Sequence, residues 1–363
     1  MAASEEQNIQ GAEIVLPCTD LDETLAFFTD RLSFRVAQIF PADDPAVVVL
    51  AGHSVRVRLE RGRTGDPGSL RLLCRDPASV AGGKTQLTAP NGTRIELVAA
   101  DPPLVLPEGE QTLVIRRMSE SDAWGSGRAG MQYRDLEPGR QGGRFIASHI
   151  RIPDGGPVGD YPHFHKIRFQ MIYCYKGWVR VVYEDQGPPF VMQAGDCVLQ
   201  PPEIRHQVLE CSPGMEVVEI GCPAEHMTLA DLDMTLPTSK VDTGRLYGGQ
   251  RFVRHQVEEA EWKPWRLQGF EARDIGFNAA TNGLAGARVV RVSGTPNGET
   301  WSHDGEFLFL FVLDGNATLD CEGRESEILT AGDCCTLPAG RVCRLDACSA
   351  DLELLEVALP ALI

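Results

Sequence analysis

The 363-residue sequence predicts a mainly β protein in which a small α+β segment, residues 1–102, precedes two tandem jelly-roll β-barrels, residues 103–236 and 237–363. Three observations predict this fold class. The 37 glycines and 24 prolines are spread along the chain and favour many short strands joined by turns. A strand–helix–strand pattern lies near the N-terminus, and the rest of the chain contains an internal duplication of short alternating strands.

The N-terminal segment contains the stretch EIVLPCTDLDETLAFFTDRLSFRV, which predicts a strand, a turn, an amphipathic helix and a second strand. Thr19 or Asp20 would cap the helix. Alternating strands follow, and Asn91-Gly92 predicts a turn before the last of them. Across residues 11–100 this βαβββ-like order resembles the glyoxalase, or vicinal-oxygen-chelate, superfamily.

The resemblance implies metal ligands of the His, Gln or Glu type near the start of the first strand and a Glu near the end of a later one. The corresponding positions here hold Glu13, Glu60 and Glu96. No histidine stands at any of them, and His53 falls in a predicted turn. We therefore expect a degenerate, structural or lid-like domain without a second metal site. The Pro-rich, acidic residues 101–110 predict a linker, since proline sustains neither a sheet ladder nor a helix interior.

The remainder of the chain repeats one pattern twice. Arg134 and Gly177 are 43 positions apart in the first copy, and Arg273 and Gly315 are 42 positions apart in the second. A glycine–aspartate turn follows each of these glycines after 18 and 17 positions. Each copy consists of short alternating strands, which is the pattern of a jelly-roll barrel. The recurrence of Arg134-Asp135 in the second copy indicates a structural role for both residues.

The first copy contains side chains at the spacing of metal ligands. His163 and His165 stand two residues apart on an expected strand, so both imidazoles point to the same face. A turn at residues 166–168 would place Gln170 on the next strand, facing inward, and a later turn leads to His206. Three histidines and one glutamine at this spacing predict one mononuclear metal site.

This spacing resembles the two sequence motifs of the cupin superfamily. The matching residues are His163, His165 and Gly177 in the first motif and Gly195, Pro201 and His206 in the second. Gln170 replaces the usual glutamate ligand, and Glu203 replaces a glycine of the second motif. The resemblance extends to the second copy through its glycines, so that residues 113–360 resemble a bicupin.

The second copy departs from the ligand pattern. When the copies are aligned on their glycines, the four ligand positions hold Trp301, His303, Leu308 and Cys343. One histidine and one cysteine do not hold a mononuclear first-row metal firmly, because such sites use at least three protein ligands. We expect the second barrel to be a scaffold or a dimerisation element, and a homodimer is consistent with either role.

The predicted ligand set is neutral, so a divalent ion would keep its full charge of two and favour an anionic or enolisable substrate that chelates through two oxygens. Imidazole and amide ligands suit Fe(II), Ni, Mn, Co or Zn. The resemblance to bicupin dioxygenases favours Fe(II) among these. Arg151 is the candidate catalytic residue, since it could clamp a substrate carboxylate bidentately, although an arginine in such a pattern more often lies on the surface.

Three functions remain open at this stage. The first is a metal-dependent dioxygenase that acts on a small aromatic or oxygenated organic acid. The second is a non-redox isomerase, lyase or cyclase that uses the ion as a Lewis acid. The third is a non-catalytic bicupin that binds a small molecule. Metal identity separates the first two, because only a redox-active ion supports chemistry with O2.

Composition and charge exclude several other classes. The chain carries 34 Lys and Arg against 51 Asp and Glu, a formal charge of −17 that disfavours nucleic-acid and membrane partners. No apolar run reaches the roughly 18 residues that span a bilayer. The first ten residues are acidic and polar, which is not the pattern of a secretory signal. Most of the 11 cysteines stand singly in apolar runs, which indicates reduced thiols. We therefore expect a cytoplasmic protein.

Overall fold

The computed structural model describes residues 9–120 and 124–362, and these form two compact units, 9–103 and 104–362. The boundary between the two units, after residue 103, falls inside the predicted linker at residues 101–110. Residues 1–8, which form most of the acidic, polar N-terminal stretch, lie outside the described residues, as do 121–123 and 363. Strands dominate both units, so the prediction of a mainly β protein is confirmed. No helix in the described parts of the chain is long and apolar enough to cross a membrane.

The first unit has the predicted strand–helix–strand start. Helix α1 (Leu21–Ala26) continues as a wider π-helical turn, and Asp20 caps it by accepting a hydrogen bond from the Glu23 amide at 3.0 Å. The strands of this unit are β1 (Ile14–Cys18), β2 (Arg35–Phe40), β3 (Val47–Gly52), β4 (Val55–Arg61), β5 (Ser69–Cys74), β6 (Gln86–Thr88) and β7 (Arg94–Ala99). Strands β1 to β4 form one sheet in the order β1-β4-β3-β2, and the others form a second in the order β5-β7-β6.

The glutamates at the positions of the glyoxalase-type ligands form ion pairs. Arg58 lies between Glu13 and Glu60, with its Nε 2.7 Å from Glu60 Oε1 and its Nη1 3.8 Å from Glu13 Oε2. Glu96 lies on the other sheet, 3.7 Å from Arg71. A guanidinium thus occupies the place between two of the carboxylates. The expectation of a unit without a metal of its own stays a prediction.

The second unit contains the duplicated region. The strands of the first copy are β8 (Val114–Arg116), β9 (Gly125–Ser126), β10 (Gln132–Asp135), β11 (Ile146–Ile152), β12 (Gly156–Pro157), β13 (His163–Lys166), β14 (Phe169–Lys176), β15 (Trp178–Tyr183), β16 (Phe190–Gln193), β17 (Cys197–Leu199), β18 (His206–Cys211), β19 (Met215–Cys222) and β20 (Met227–Ala230). A short helical turn, α2 (Arg140–Gly143), separates β10 from β11.

The second copy repeats this series. Its strands are β21 (Leu246–Tyr247), β22 (Gln250–Arg251), β23 (Val253–His255), β24 (Lys263–Pro264), β25 (Phe270–Asp274), β26 (Gly286–Val292), β27 (Thr300–Trp301), β28 (Phe307–Asp314), β29 (Asn316–Cys321), β30 (Glu327–Thr330), β31 (Cys334–Thr336), β32 (Cys343–Asp346) and β33 (Glu353–Leu359). The turn α3 (Phe277–Ala280) occupies the place that α2 has in the first copy.

Each copy folds into a pair of sheets packed face to face. In the first barrel the sheets have the orders β23-β17-β14-β19-β11-β10-β9 and β16-β15-β18-β13-β20. In the second they have the orders β24-β25-β26-β33-β28-β31-β8 and β27-β32-β29-β30. Buried side chains from both sheets of a pair form one apolar core, as in other β-sandwiches.

The two barrels exchange an edge strand. Strand β8 lies at the start of the first copy but pairs with β31 of the second, and β23 lies near the start of the second copy but pairs with β17 of the first. Each barrel therefore completes one of its sheets with a strand from the other copy. The predicted division between residues 236 and 237 separates the copies along the chain but does not separate these sheets. The exchange also covers a sheet edge that would otherwise be open to pairing with another chain.

The recurring arginines hold the two barrels together. Arg134 Nη2 donates to the carbonyl oxygen of Gly332 at 2.5 Å, and Arg273 Nη1 donates to that of Gly195 at 3.2 Å. The two glycines belong to equivalent turns, so each copy is tied to the turn of the other. Asp135 instead accepts a hydrogen bond from the backbone two residues later, as Asp274 does in the second copy. Their recurrence is structural, as expected.

Candidate metal centre

Two neighbouring strands of the first barrel bring the predicted histidines together. His163 and His165 lie on β13, and His206 begins β18, directly opposite His163 in the antiparallel pairing. The ring centroids are 4.2 Å apart for His163 and His206 and 5.3 Å apart for each of the other two pairs. One nitrogen from each ring lies within 4.8 Å of the others, so these residues could hold a metal ion.

Hydrogen bonds at Nδ1 orient the three rings. His163 Nδ1 lies 2.8 Å from the carbonyl oxygen of Tyr161, and His206 Nδ1 lies 3.0 Å from that of Ile204. A carbonyl oxygen only accepts, so Nδ1 carries the hydrogen in both rings and Nε2 keeps its lone pair. His165 Nδ1 lies 2.8 Å from the Thr228 hydroxyl. Partners of this kind fix the tautomer and orientation of metal-binding histidines.

Hydrogen-bond donors face two of the Nε2 lone pairs. Arg128 Nη2 lies 2.7 Å from His163 Nε2, and Gln200 Nε2 lies 3.0 Å from His206 Nε2. The Arg128 guanidinium is held in turn by Asp160, whose Oδ1 lies 2.6 Å from Nη1. Positively polarised N–H groups thus stand where a cation would approach these nitrogens. The lone pairs of His163 and His206 that accept from these N–H groups are the ones that could bind a divalent ion.

Burial keeps the three histidines neutral. It lowers the pKa of His163, with a further contribution from the positive charge of Arg128. Burial also lowers the pKa of His165 to about 3, and His226 and His163 add to the effect. The pKa of His206 is lowered well below its usual value, again mainly by burial. Metal ligation requires the neutral imidazole, so all three rings are in the required protonation state at neutral pH.

Gln170 faces the same cavity as the histidines. Its side chain lies on β14, is 2% exposed and lines the cavity together with His163, His165 and His206. Its Nε2 donates to Glu219 Oε1 on the neighbouring strand β19 at 2.6 Å. Because the amide nitrogen is engaged, the amide oxygen is the atom that remains for a metal ion.

Several residues of the site were not predicted from the sequence. They are Arg128, Gln200, Glu219, His226 and Thr228, all of which line the cavity. Glu219 could have been singled out from the sequence, because Glu216-x-x-Glu219 recurs as Glu353-x-x-Glu356 in the second copy. No sequence pattern points to Arg128, because it lies on a turn far from the ligand motif and its position is not repeated in the second copy.

The structure does not bring Arg151 to the cavity, which corrects its assignment as the catalytic candidate. Ser148 and Ile150 line the cavity from β11, and strand alternation turns Arg151 to the opposite face. There its Nε donates to Gln132 Oε1 at 2.8 Å, and its guanidinium lies 4.0 Å from the centre of the Trp124 ring.

Comparison with known proteins identifies the fold. No family model matches the sequence, and no curated protein matches it. Oxalate decarboxylase from Bacillus subtilis at pH 4.6 is similar in structure, with 14% identity, a TM-score of 0.52 and coverage of 71% of this chain and 79% of that one. The protein Ylba from E. coli has 11% identity and a TM-score of 0.51, and the match covers 71% of this chain and 95% of Ylba.

A third similar structure is a glycine-to-alanine mutant of salicylate 1,2-dioxygenase from Pseudoaminobacter salicylatoxidans. It has 15% identity and a TM-score of 0.51, with coverage of 70% of this chain and 86% of the dioxygenase. At such identities the similarity concerns the fold alone. It supports a bicupin fold. The glyoxalase-like character of the first unit has no counterpart in these comparisons and stays a prediction.

The cavity of the first barrel is mostly apolar. Its volume is about 270 Å³. Away from the histidines, its walls are formed mainly by aliphatic and thioether side chains, among them Met131, Ile150, Ile172, Val181, Met192 and Val217. Such a pocket, with a few convergent polar groups, is typical of a small-molecule site.

The second barrel has different side chains at the ligand positions. Both ring nitrogens of His303 are engaged by backbone groups, Nε2 with the Leu337 carbonyl at 2.8 Å and Nδ1 with the Gly305 amide at 3.2 Å. Trp301 and Leu308 are buried in the apolar core. Among the described residues, a group of side chains that could hold a metal is found only in the first barrel.

Proposed function

We propose that the chain is a mononuclear metal-dependent dioxygenase that acts on a small organic acid, preferably an aromatic one. His163, His165, His206 and Gln170 would hold the ion. The observation that carries the proposal is the convergence of three neutral imidazoles in an otherwise apolar cavity. Fe(II) is the proposed ion, with Ni, Mn, Co and Zn as alternatives that the ligand types also suit. When bound, the ion would supply O2 activation and charge stabilisation at the chelating oxygens of the substrate.

The size and polarity of the cavity favour a substrate with an apolar body. A cavity of about 150 Å³ accommodates benzene, so a volume of about 270 Å³ has room for a substituted ring. A two-carbon dicarboxylate would leave most of the aliphatic wall unfilled. The pocket therefore suits an aromatic acid better than oxalate, even though oxalate decarboxylase is among the proteins of similar fold.

Arg128 is the proposed partner of the substrate carboxylate. Asp160 holds its Nη1, while Nη2 lies against the His163 nitrogen that a metal would use. Once His163 is engaged in ligation, the Nη2 hydrogens become free for an anion at the same place. With Nη1 held by Asp160, Nη2 would donate a charge-assisted hydrogen bond to the carboxylate, which helps to orient the bound acid.

Glu219 and His226 favour a non-redox alternative. Glu219 contacts Gln170, and the His226 ring lies 5.3 Å from that of His165, so two proton acceptors stand beside the predicted ligands. An isomerase, lyase or cyclase needs such a group to move a proton on an enolisable substrate while the ion polarises its carbonyl. A non-catalytic bicupin that binds the same acids would need neither O2 nor proton transfer.

The test compares substrate dependence in two arginine variants of the Fe(II)-loaded protein. We expect O2 consumption with hydroxylated aromatic acids and none with oxalate. Arg128→Gln should raise KM for the acid by about 10- to 100-fold, the loss expected for one charge-assisted contact of about 1.5–3 kcal/mol. Arg151→Gln is the matched control, since Arg151 faces away from the cavity, and its KM should stay unchanged.

The outcomes separate the three functions. Conversion of an acid without O2 consumption would support the non-redox alternative. Saturable binding of the acids without conversion would support the binding protein. Equal KM values in the two arginine variants would contradict the proposed role of Arg128.

A further inference from the structure

Two thiols meet inside the second barrel. Cys321 ends strand β29 and Cys343 begins strand β32, and the two residues are direct partners in the antiparallel pairing. Their Sγ atoms are 2.8 Å apart. The residues are 7% and 1% exposed, so the contact is shielded from most of the solvent.

The backbone around this pair suits a disulfide. The Glu322 amide donates to the Val342 carbonyl at 2.9 Å, so that pair is hydrogen-bonded and the preceding one, Cys321 with Cys343, is not. Cα atoms of a non-hydrogen-bonded pair are about 4.5 Å apart. Disulfides span Cα separations of about 4.4–6.8 Å. The Cα separation expected for this pair therefore lies within the range that a disulfide spans.

We propose that Cys321 and Cys343 form a reversible intramolecular disulfide when the protein is exposed to a hydroperoxide. The Cys321 sulfur attacks the outer peroxide oxygen, the O–O bond breaks, and an alcohol leaves with the thiol proton, so that Cys321 becomes a sulfenic acid. The Cys343 sulfur then attacks the Cys321 sulfur, the S–O bond breaks, and the hydroxide leaves with the Cys343 proton as water. The two thiols lose two electrons, and the hydroperoxide is reduced to one alcohol and one water.

The surroundings of Cys321 support its role as the attacking sulfur. The hydrogen bond from the Cys343 thiol lowers the pKa of Cys321, although burial acts in the opposite direction. Arg341 lowers this pKa further, and its guanidinium is anchored 2.6 Å from the Glu322 carbonyl oxygen. By contrast, burial raises the pKa of the isolated Cys174 thiol to about 12. Because its thiolate fraction is larger, Cys321 is more reactive than an isolated buried thiol such as Cys174.

The other adjacent cysteines cannot form this bond. Cys334 and Cys335 are consecutive on β31, and alternation turns their side chains to opposite faces of the sheet. Cys334 packs in the core between the barrels, whereas Cys335 packs inside the second barrel. The proposed bond also involves no residue of the candidate metal centre, so it does not depend on the proposed function.

The test uses the full-length chain without substitutions. The reduced protein is freed of reductant, treated with hydrogen peroxide, denatured and alkylated, and its thiols are counted and its peptides mapped. The 11 thiols of the reduced chain should fall by two, with one linked peptide pair that contains Cys321 and Cys343. Treatment with dithiothreitol should restore both thiols.

Two variants provide the controls. Cys321→Ser should abolish the linked pair, whereas Cys74→Ser, which removes a half-buried thiol of the first unit, should still lose two thiols on oxidation. Full alkylation of Cys321 and Cys343 in the peroxide-treated natural chain would overturn the proposal. A linked pair that joins other cysteines would overturn it as well, and neither result depends on whether a variant folds.

Discussion

At the residue scale, the candidate metal centre depends on what lies behind each ligand. Backbone carbonyls at Nδ1 of His163 and His206 turn both Nε2 atoms towards the cavity. Glu219 does the same for Gln170 by binding its amide nitrogen. The ligand atoms are thus oriented before any ion binds, so the side chains lose little conformational entropy on binding.

Glu219 is expected to matter for metal affinity without being among the predicted ligands. Removing a partner that orients a ligand costs about 10- to 100-fold in metal affinity. We predict a loss of this size for Glu219→Ala, measured by competition with a chelator. Glu216→Ala is the matched control, because Glu216 lies on the same strand and binds His149 on the opposite face. Equal metal affinities in the two variants would contradict the assigned role of Glu219.

The buried histidines also predict a pH dependence of stability. Their pKa values are lowered in the folded chain, so between about pH 6.5 and the folded values the unfolded chain binds more protons. The free energy of unfolding of the metal-free protein should therefore fall as the pH decreases from 7 to 5. Each histidine contributes up to about 1.4 kcal/mol per pH unit in this window. His149, His255 and His303, whose pKa values burial also lowers, add to the same trend.

Urea unfolding at pH 7, 6 and 5 measures this dependence. The natural chain should lose stability steadily, and His206→Asn should show a shallower decline because one of the contributing groups is gone. A free energy of unfolding that does not change between pH 7 and 5 would contradict the neutral state of the buried imidazoles.

At the scale of elements, the exchanged strands and the paired arginines join the barrels. Arg134→Ala would remove the hydrogen bond to the Gly332 carbonyl and leave a cavity in a buried position. We expect a loss of about 2–4 kcal/mol in the free energy of unfolding. Arg140→Ala is the control, since the Arg140 side chain is 38% exposed and lies 3.7 Å from Asp135 in an ion pair near the surface, worth less than about 1 kcal/mol.

Metal affinity distinguishes this role from a catalytic one. Arg134→Ala should unfold at lower urea concentration and still bind metal as tightly as the natural chain when folded. Equal stability of the two arginine variants would contradict the assignment of Arg134 to the junction between the barrels.

The sequence predicts those elements whose determinants are local or repeated. The two barrels follow from glycine landmarks in register, the cap of α1 from Asp20, and the common face of His163 and His165 from their spacing. The exchange of β8 and β23 could not be predicted, because three-residue strands carry little pattern and their partners lie in the other copy.

The residues around the ligands also differ in whether the sequence alone could identify them. Arg151 shares a strand with cavity residues, and only the packing of both sheets shows which face of that strand is the inner one. Arg128 reaches His163 from a turn 35 positions earlier, a contact that depends on how the chain folds back. Glu219 is the residue that a comparison of the two copies could have identified, since Glu356 occupies the equivalent place.

At the scale of the whole molecule, duplication has produced two barrels with different interiors. In the second barrel Arg266 forms an ion pair with Glu356, with its Nη1 2.9 Å from Oε1. The same guanidinium lies 4.1 Å from the ring centre of Trp265 and 5.1 Å from that of Trp301. An arginine and two indoles thus fill the region that the first barrel keeps open. This asymmetry predicts one ion per chain and not two.

Metal analysis of the purified chain tests this central claim most directly. Fe, Ni, Mn, Co, Cu and Zn would be quantified, before and after reconstitution, in the natural chain, in His163→Ala/His165→Ala and in His303→Ala. We predict about one ion per chain in the natural protein, its loss in the double variant, and its retention in His303→Ala, where the equivalent histidine of the second barrel is bound to backbone groups. No metal in the natural chain after reconstitution, or equal metal in the natural chain and the double variant, would contradict a metal centre in the first barrel.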